Sequence, residues 1–122
     1  MNEFENLKIR GGRNIAIKVP FHLYNQTIEF YRDILGLKVI EETRNGFQFK
    51  FGEVNLYIDK VEHLSQAELW LEIHVNSVEL ASKYFAAKKI TRYDEIEKLP
   101  EGFKGFWILS PSNIVHLISQ NS

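Results

Sequence analysis

The 122-residue sequence contains no cysteine, which excludes disulfides, thiolate catalysis and sulfur-ligated metal sites. No apolar run approaches the roughly 20 residues of a membrane-spanning helix. The lysines and arginines form no basic stripe, and a formal net charge of −1 gives no field to gather nucleic acid or an anionic membrane. The first residues also lack the apolar core of a signal peptide. We therefore expect a cytoplasmic protein that binds neither nucleic acid nor membrane.

The length and composition indicate one soluble globular domain. Apolar residues make up 44% of the chain and charged residues 25%, as in ordinary globular proteins. A chain of this length is long enough to bury a core of its own.

Residues 13–59 are predicted to form a strand, a helix and three further strands. The run Asn14 to Val19 alternates polar and apolar side chains, which is the period of a strand. A helix is expected to begin near Asn25 and to end at Gly36, with an apolar stripe at helical spacing. The turn at Asn45-Gly46 is typical of a hairpin. The stripe consists of Ile28, Tyr31 and Leu35, with Ile34 beside them. The three later strands are predicted at residues 37–43, 47–51 and 54–59.

Residues 69–120 repeat the same order after a polar linker at residues 60–68. A strand from Leu69 to Val75 precedes a helix whose start carries a plausible capping box, Asn76 with Glu79. Strands are then predicted at residues 90–96, 103–109 and 114–119. Residues 1–12 are expected to be a flexible leader or a short edge segment.

The fold class predicted from this repeat is α+β, with two βαβββ modules in a single domain of residues 1–122. Neither four-stranded sheet buries its inner face alone. The modules must therefore pair, within the chain or across a dimer, around a shared cleft.

The doubled module resembles the vicinal oxygen chelate superfamily, the group of glyoxalase I, bleomycin-resistance proteins and extradiol dioxygenases. The resemblance covers roughly residues 13–120 by element count. Its most specific piece is FYRDILGL at residues 30–37, and a second piece is SPSNIVHL at residues 110–117. Both pieces carry information on the fold and do not specify an activity. The resemblance also implies a homodimer.

In metal-dependent members of that superfamily, four ligands, typically His, Glu, His and Glu, come from the first and last strands of each module. The resemblance places those four positions on Asn14, Tyr57, Trp70 and His116. Indole cannot coordinate a metal, and a phenol and an amide bind transition metals weakly. Only the imidazole is a good ligand, so the resemblance implies that neither a metal nor another cofactor is used here.

Several of these residues have a structural interpretation beside the functional one. His116 is more simply a core or cavity histidine, and Trp70 either stacks on a flat ligand or fills the space of the metal. Tyr57 needs no function as a strand tyrosine. Glu72 and His74 share the face of Trp70 and could join His116 in a displaced two-His, one-carboxylate site.

Three hypotheses of function follow. The first is a metal-free small-molecule-binding protein that sequesters an aromatic or cationic compound. The second is an enzyme, a glyoxalase-like lyase or isomerase with a displaced metal or with acid–base catalysis by His116. The third is a scaffold whose cleft is filled by its own side chains. The candidate ligand-binding residues are Asn14, Tyr57, Trp70, Glu72, His74, Trp107 and His116.

Overall fold

The computed structural model describes residues 2–120, which contain seven strands, two α-helices and one π-helix. The chain divides into two compact units. The first unit is residues 13–70, and the second unit combines residues 2–12 with residues 71–120. This division differs from the expected modules, because the N-terminal segment groups with the second half of the chain.

The first unit contains a four-stranded sheet in the order β2-β3-β4-β1. Strands β1 and β4 are parallel, and the pairs β2–β3 and β3–β4 are antiparallel. The elements are β1 (Ile9–Pro20, of which residues 13–20 belong to this unit), α1 (Phe21–Glu29), the π-helix (Phe30–Ile34), β2 (Val39–Glu42), β3 (Gly46–Phe51) and β4 (Val54–Val61).

The core of the first unit lies between this sheet and α1. The apolar residues of the alternating strands fall on one face, where Phe49 and Ile58 are fully buried and pack with Ile28 of α1. Burying a side chain such as Phe49 contributes about 1.5–3 kcal/mol. The period-2 pattern in the sequence therefore decided which face of each strand meets the helix.

The first helix begins earlier than predicted, whereas its helical run ends just before Gly36, at φ +67°, as predicted. It begins at Phe21, directly after Pro20, so Asn25 lies inside the helix and does not cap it. The following residues form a π-helix, in which the Leu35 amide donates to the Phe30 carbonyl at 2.9 Å. A π-turn holds more residues than an α-turn, so it shifts the apolar stripe out of phase. Leu35, predicted to be in the stripe, is 47% exposed.

The second unit carries strands in the order β5-β7-β6. Strands β5 and β7 are parallel, and β6 and β7 are antiparallel. One sheet face packs on the second helix through Val75, Ala81 and Ile118. The elements are β5 (Glu68–Val75, of which residues 68–70 belong to the first unit), α2 (Val78–Ala87), β6 (Gly105–Leu109) and β7 (Val115–Gln120).

The prediction of a strand at residues 90–96 is wrong. This segment forms only an isolated bridge between Arg92 and Ile108. The Arg92 guanidinium pairs with Asp94 at 2.7 Å in an exposed turn, instead of continuing along the sheet. The α+β class is confirmed, and the second unit has two strands after its helix where three were predicted.

The predicted capping box at Asn76 is also wrong. The Ser77 hydroxyl accepts a hydrogen bond from the Leu80 amide at 3.1 Å and caps α2. The Asn76 side chain instead accepts from the Lys8 amide at 2.8 Å and donates to the Asn6 carbonyl at 2.9 Å. These bonds attach the N-terminal segment to the end of β5, so the expected leader is an integral part of the second unit.

No helix in residues 2–120 is long and apolar enough to cross a membrane.

Candidate functional site

The face of the first-unit sheet opposite α1 carries the polar side chains. The parallel register of β1 and β4 pairs Asn14 with Asn55, Ala16 with Tyr57 and Lys18 with Asp59. Paired residues share a sheet face, so these side chains lie together on what we call the polar face of the first unit. Two of the sequence candidates, Asn14 and Tyr57, lie on it as predicted from their alternation.

Lys18, Asp59 and Trp70 form the centre of interactions on this face. The Lys18 ammonium donates to the Asp59 carboxylate at 2.9 Å, with the two side chains 6% and 23% exposed. The same ammonium lies 4.4 Å from the centroid of the Trp70 ring, a cation–π distance. A second anchor fixes the indole, because its Nε1 donates to the Glu68 carboxylate at 3.0 Å.

Lys18 was missed by the sequence reasoning. The alternation of β1 already placed it on the face of Asn14, opposite Ile17 and Val19. A lysine is almost never fully buried unless it is paired, so its position in a sheet-forming strand was the available signal. Its partner Asp59 comes from β4, 41 residues away, and no sequence spacing identifies such a pair.

The amide pair Asn14 and Asn55 continues the polar face along the two strands. The Asn55 side-chain amide donates to the Asn14 side-chain oxygen at 3.0 Å. Tyr57 lies between these amides and the Lys18–Asp59 pair along β4, and it is partly buried. The face therefore combines amide, phenol, ion-pair and indole groups within one unit.

A second group of polar residues lies in the second unit, on the sheet face opposite α2. The His74 Nε2 is 3.1 Å from one Glu72 carboxylate oxygen, and the Ser119 hydroxyl donates to the other oxygen at 3.3 Å. The side chains of His74 and Glu72 are 20% and 8% exposed. Gly12 makes room for this pair, because a Cβ there would lie 2.5 Å from the Glu72 carboxylate.

Trp107 shares this face but is covered. Only 5% of the residue is exposed. Its indole nitrogen donates to the Glu97 carbonyl at 2.8 Å. The flat surface that the sequence suggested for a ligand is therefore largely buried.

His116 does not join Glu72 and His74. The register pairs His116 with Leu71 and pairs Glu72 with Leu117. Since paired residues share a face, His116 lies on the α2 side of the sheet, and its Nδ1 is 2.9 Å from the Ile114 carbonyl. The residue of β7 that lies on the face of Glu72 is Leu117.

The residues at the metal-ligand positions of the superfamily do not fit a divalent cation. The resemblance places these positions on Asn14, Tyr57, Trp70 and His116. Amide and phenol groups are weak ligands, indole is not a ligand, and a single imidazole does not make a site for a divalent cation. Within residues 2–120 no cluster of three His, Cys, Asp or Glu side chains could hold a metal ion.

Solved structures of similar architecture were found for nearly the whole chain. A Mn(II)-bound glyoxalase from Novosphingobium aromaticivorans matches with a TM-score of 0.66 and 18% identity, over 93% of this chain and 40% of that protein. Homoprotocatechuate 2,3-dioxygenase from Arthrobacter globiformis matches with a TM-score of 0.63 and 21% identity, over 94% of this chain and 37% of that protein. The chain therefore spans about two fifths of the length of these two enzymes.

A third match has the length of this chain. A glyoxalase/bleomycin resistance protein/dioxygenase superfamily member from Vibrio splendidus 12B01 matches with a TM-score of 0.60 and 16% identity, over 93% of this chain and 100% of that protein. No family model and no curated protein matches the sequence. At these identities the likeness concerns the fold. The chain has the fold of the vicinal oxygen chelate superfamily, as the repeat and its motifs predicted.

Proposed function

We propose that the protein binds a flat organic molecule on the polar face of the first unit and does so without a metal ion. The observation that carries this proposal is the buried Lys18 ammonium, held between the Asp59 carboxylate and the Trp70 ring. The resemblance places Trp70 at one of the ligand positions of metal-dependent members of the superfamily. A fixed positive charge beside that position opposes a divalent cation, and the residues around it are poor ligands.

The same charge narrows the class of ligand. The sequence suggested either an aromatic or a cationic compound. A cationic ligand would approach the Lys18 ammonium and would compete with it for the electrons of the indole ring. A neutral or anionic flat molecule carries no such penalty. The partly exposed rings of Tyr57 and Trp70 supply apolar surface, and the Asn14–Asn55 amides and the Lys18–Asp59 pair supply hydrogen-bonding groups.

Tryptophan fluorescence tests this proposal in a Trp107→Phe background, where Trp70 is the single tryptophan. The probes are 1-naphthoate, a flat anion; N-methylquinolinium, a flat cation; and cyclohexanecarboxylate, an anion that is not flat. We expect a saturable change with 1-naphthoate and a much weaker response to the other two. A thermal melt gives an independent readout, because a ligand at 100 times its dissociation constant adds about 2.7 kcal/mol to the free energy of unfolding.

Variants assign the response to the polar face. Tyr57→Phe and the charge-neutral pair Lys18→Met with Asp59→Asn should each weaken 1-naphthoate binding. The matched control is Tyr93→Phe, an exposed tyrosine of the second unit. Equal binding in the wild type and in both first-unit variants would contradict the proposed location, and no response to any probe would remove the proposal.

A second candidate function is acid–base catalysis, and one observation favours it. The Glu72 carboxylate lies 3.1 Å from the His74 imidazole and orients it, which is an arrangement suited to proton transfer. His74 thus takes the role that the sequence reasoning gave to His116. Mass spectrometry would detect deuterium incorporated from D2O into a bound ligand, and loss of that incorporation in His74→Gln but not in His116→Gln would support catalysis.

The homodimer implied by the resemblance stays a proposal. Size-exclusion chromatography with light scattering tests it directly, and a monomer at micromolar concentration would count against it.

A further inference from the structure

A groove of about 460 Å³ lies in the first unit, away from the residues of the polar face. One wall is made by α1 and the π-helix, and the other by the turn between β2 and β3 together with the end of β4. This volume falls in the range of small-molecule sites, roughly 300–1,000 Å³. The residues that line the groove include Tyr24, Ile28, Glu42, Arg44, Phe47 and Lys60.

Ile28, Phe47 and Tyr24 form the floor of the groove, within a lining that is mostly polar. Ile28 is 4% exposed, and the Phe47 ring stacks on Phe49 with centroids 5.9 Å apart, so both are fixed by the core. Tyr24 packs against the same core. Burial raises the pKa of Tyr24, and the nearby negative charges of Glu42 and Asp59 add to that shift, so its phenol is kept neutral as a hydrogen-bond donor.

The turn wall of the groove is held by backbone hydrogen bonds. The Thr43 amide donates to the Gly46 carbonyl at 2.7 Å, and the Lys60 amide donates to the Asn45 carbonyl at 2.8 Å. Gly46 packs directly on β4, where a Cβ would overlap the Ile58 carbonyl. The groove is therefore built from a fixed hairpin on one side and a helix on the other.

The walls carry balanced positive and negative charges. The Arg32 guanidinium donates two hydrogen bonds, of 2.8 and 2.9 Å, to the carboxylate of its neighbour Asp33. Among the described residues, Glu42 and Arg44 on the hairpin form no ion pair within 4.0 Å with another side chain. The Lys60 ammonium lies 4.9 Å from the Tyr24 ring centroid and adds positive charge beside the floor. A ligand here meets carboxylate and cationic groups at once.

We propose that this groove binds a zwitterionic small molecule with an apolar side chain, of the class of α-amino acids and short peptides. The apolar side chain lies over Ile28 and Phe47, the ligand ammonium faces Glu42, and its carboxylate faces Arg44 and Lys60. The Tyr24 hydroxyl donates to the ligand. This site is separate from the polar face and does not depend on the function proposed there.

Amide chemical shifts of the full chain test the proposal with matched probes. The probes are L-phenylalanine and glycyl-L-phenylalanine, which are zwitterions, phenylacetate, which lacks the ammonium, and phenethylamine, which lacks the carboxylate. We expect saturable shifts at the amides of Tyr24, Gly46 and Lys60 with at least one zwitterion. Each half-ligand should bind at least tenfold more weakly.

Variants separate this site from the polar face and from surface charge. Glu42→Gln and Arg44→Gln should each weaken the zwitterion at least threefold, and Tyr24→Phe should weaken it while leaving the fold intact. Lys50→Gln and Glu53→Gln, exposed and outside the groove, are the charge-matched controls. The Lys18→Met, Asp59→Asn protein should still bind the zwitterion. The absence of saturable shifts with both zwitterions, or equal binding of phenylacetate, would overturn the proposal.

Discussion

Lys18 and Asp59, 41 residues apart in the sequence, meet across the parallel strands β1 and β4 with a nitrogen–oxygen distance of 2.9 Å. Lys18→Met would leave a largely buried carboxylate without its cation. Breaking a buried pair costs about 3–5 kcal/mol, and because Asp59 keeps 23% of its side chain exposed, we expect about 2 kcal/mol. Urea unfolding measures the change. Adding Asp59→Asn should recover most of the loss, since no charge is then left unpaired.

The control for that variant is Lys50→Met. Lys50 is exposed on β3, so its replacement should change the free energy of unfolding by less than about 0.5 kcal/mol. An equal loss in both single variants would show that Lys18 acts only as a surface lysine.

Gly12 and Gly11 provide a matched pair for the Glu72–His74 contact. A Cβ at Gly12 would lie 2.5 Å from the Glu72 carboxylate, whereas a Cβ at Gly11 meets nothing within 4 Å. Gly12→Ala should therefore displace Glu72, break its contact with His74 and cost about 1–3 kcal/mol. Gly11→Ala should be nearly neutral. Thermal melts compare the two variants, and the same Tm in both would contradict the placement of Glu72.

The hydrogen bonds at the start of α2 predict two different effects for adjacent residues. Ser77→Ala removes the cap and should destabilise the fold by about 1 kcal/mol. Asn76→Ala removes the two bonds to the N-terminal segment and should speed hydrogen exchange of the Lys8 amide. Faster exchange at Lys8 in Ser77→Ala but not in Asn76→Ala would reverse the assignment.

The raised pKa of Tyr24 predicts that the free energy of unfolding depends on pH in the alkaline range. Burial and then the charges of Glu42 and Asp59 raise its pKa above the ordinary value of 10.0. A raised pKa in the folded state contributes stability below the unfolded pKa, and that contribution is lost as pH rises through the folded pKa. Thermal melts from about pH 9 upward should therefore show a steeper loss of stability in the wild type than in Tyr24→Phe. Parallel profiles would place the Tyr24 hydroxyl in water.

Thermal melts of chelator-treated protein with Zn, Ni, Mn and Fe(II) test the metal-free proposal. We expect no rise in Tm with any of them, because the ligand positions given by the resemblance hold an amide, a phenol and an indole beside a single imidazole. A rise that is lost in His74→Ala and kept in His116→Ala would instead identify a metal site built on Glu72 and His74.

Particular residues show how far the sequence prediction reached. The alternation of residues 14–19 and 54–59 separated Asn14, Tyr57 and Asp59 from the apolar residues of the same strands, which pack on the helix in the structure. The prediction that Leu35 belongs to the buried stripe was wrong, because a pattern with a period of 3.6 residues does not reveal a π-helix. The capping residue was misplaced by one position, since both Asn76 and Ser77 suit a helix start.

His116 shows the limit for the candidate site. The resemblance placed it among the ligand positions, but a shift of one residue along a strand turns a side chain to the opposite face. The structure places Leu117 on the face of Glu72 and leaves His116 beside Leu71 on the helix side.

The sequence by itself determined the α+β repeat, the apolar face of most strands and the poor metal ligands at the family positions. These properties depend on local periodicity and on side-chain chemistry, and both follow directly from the amino-acid sequence. The tertiary structure alone decided that Lys18 meets Asp59 and Trp70, that Glu72 orients His74 beside Gly12, and that a groove forms between α1 and the hairpin. Those contacts join distant residues through strand register and helix packing, which no local pattern specifies.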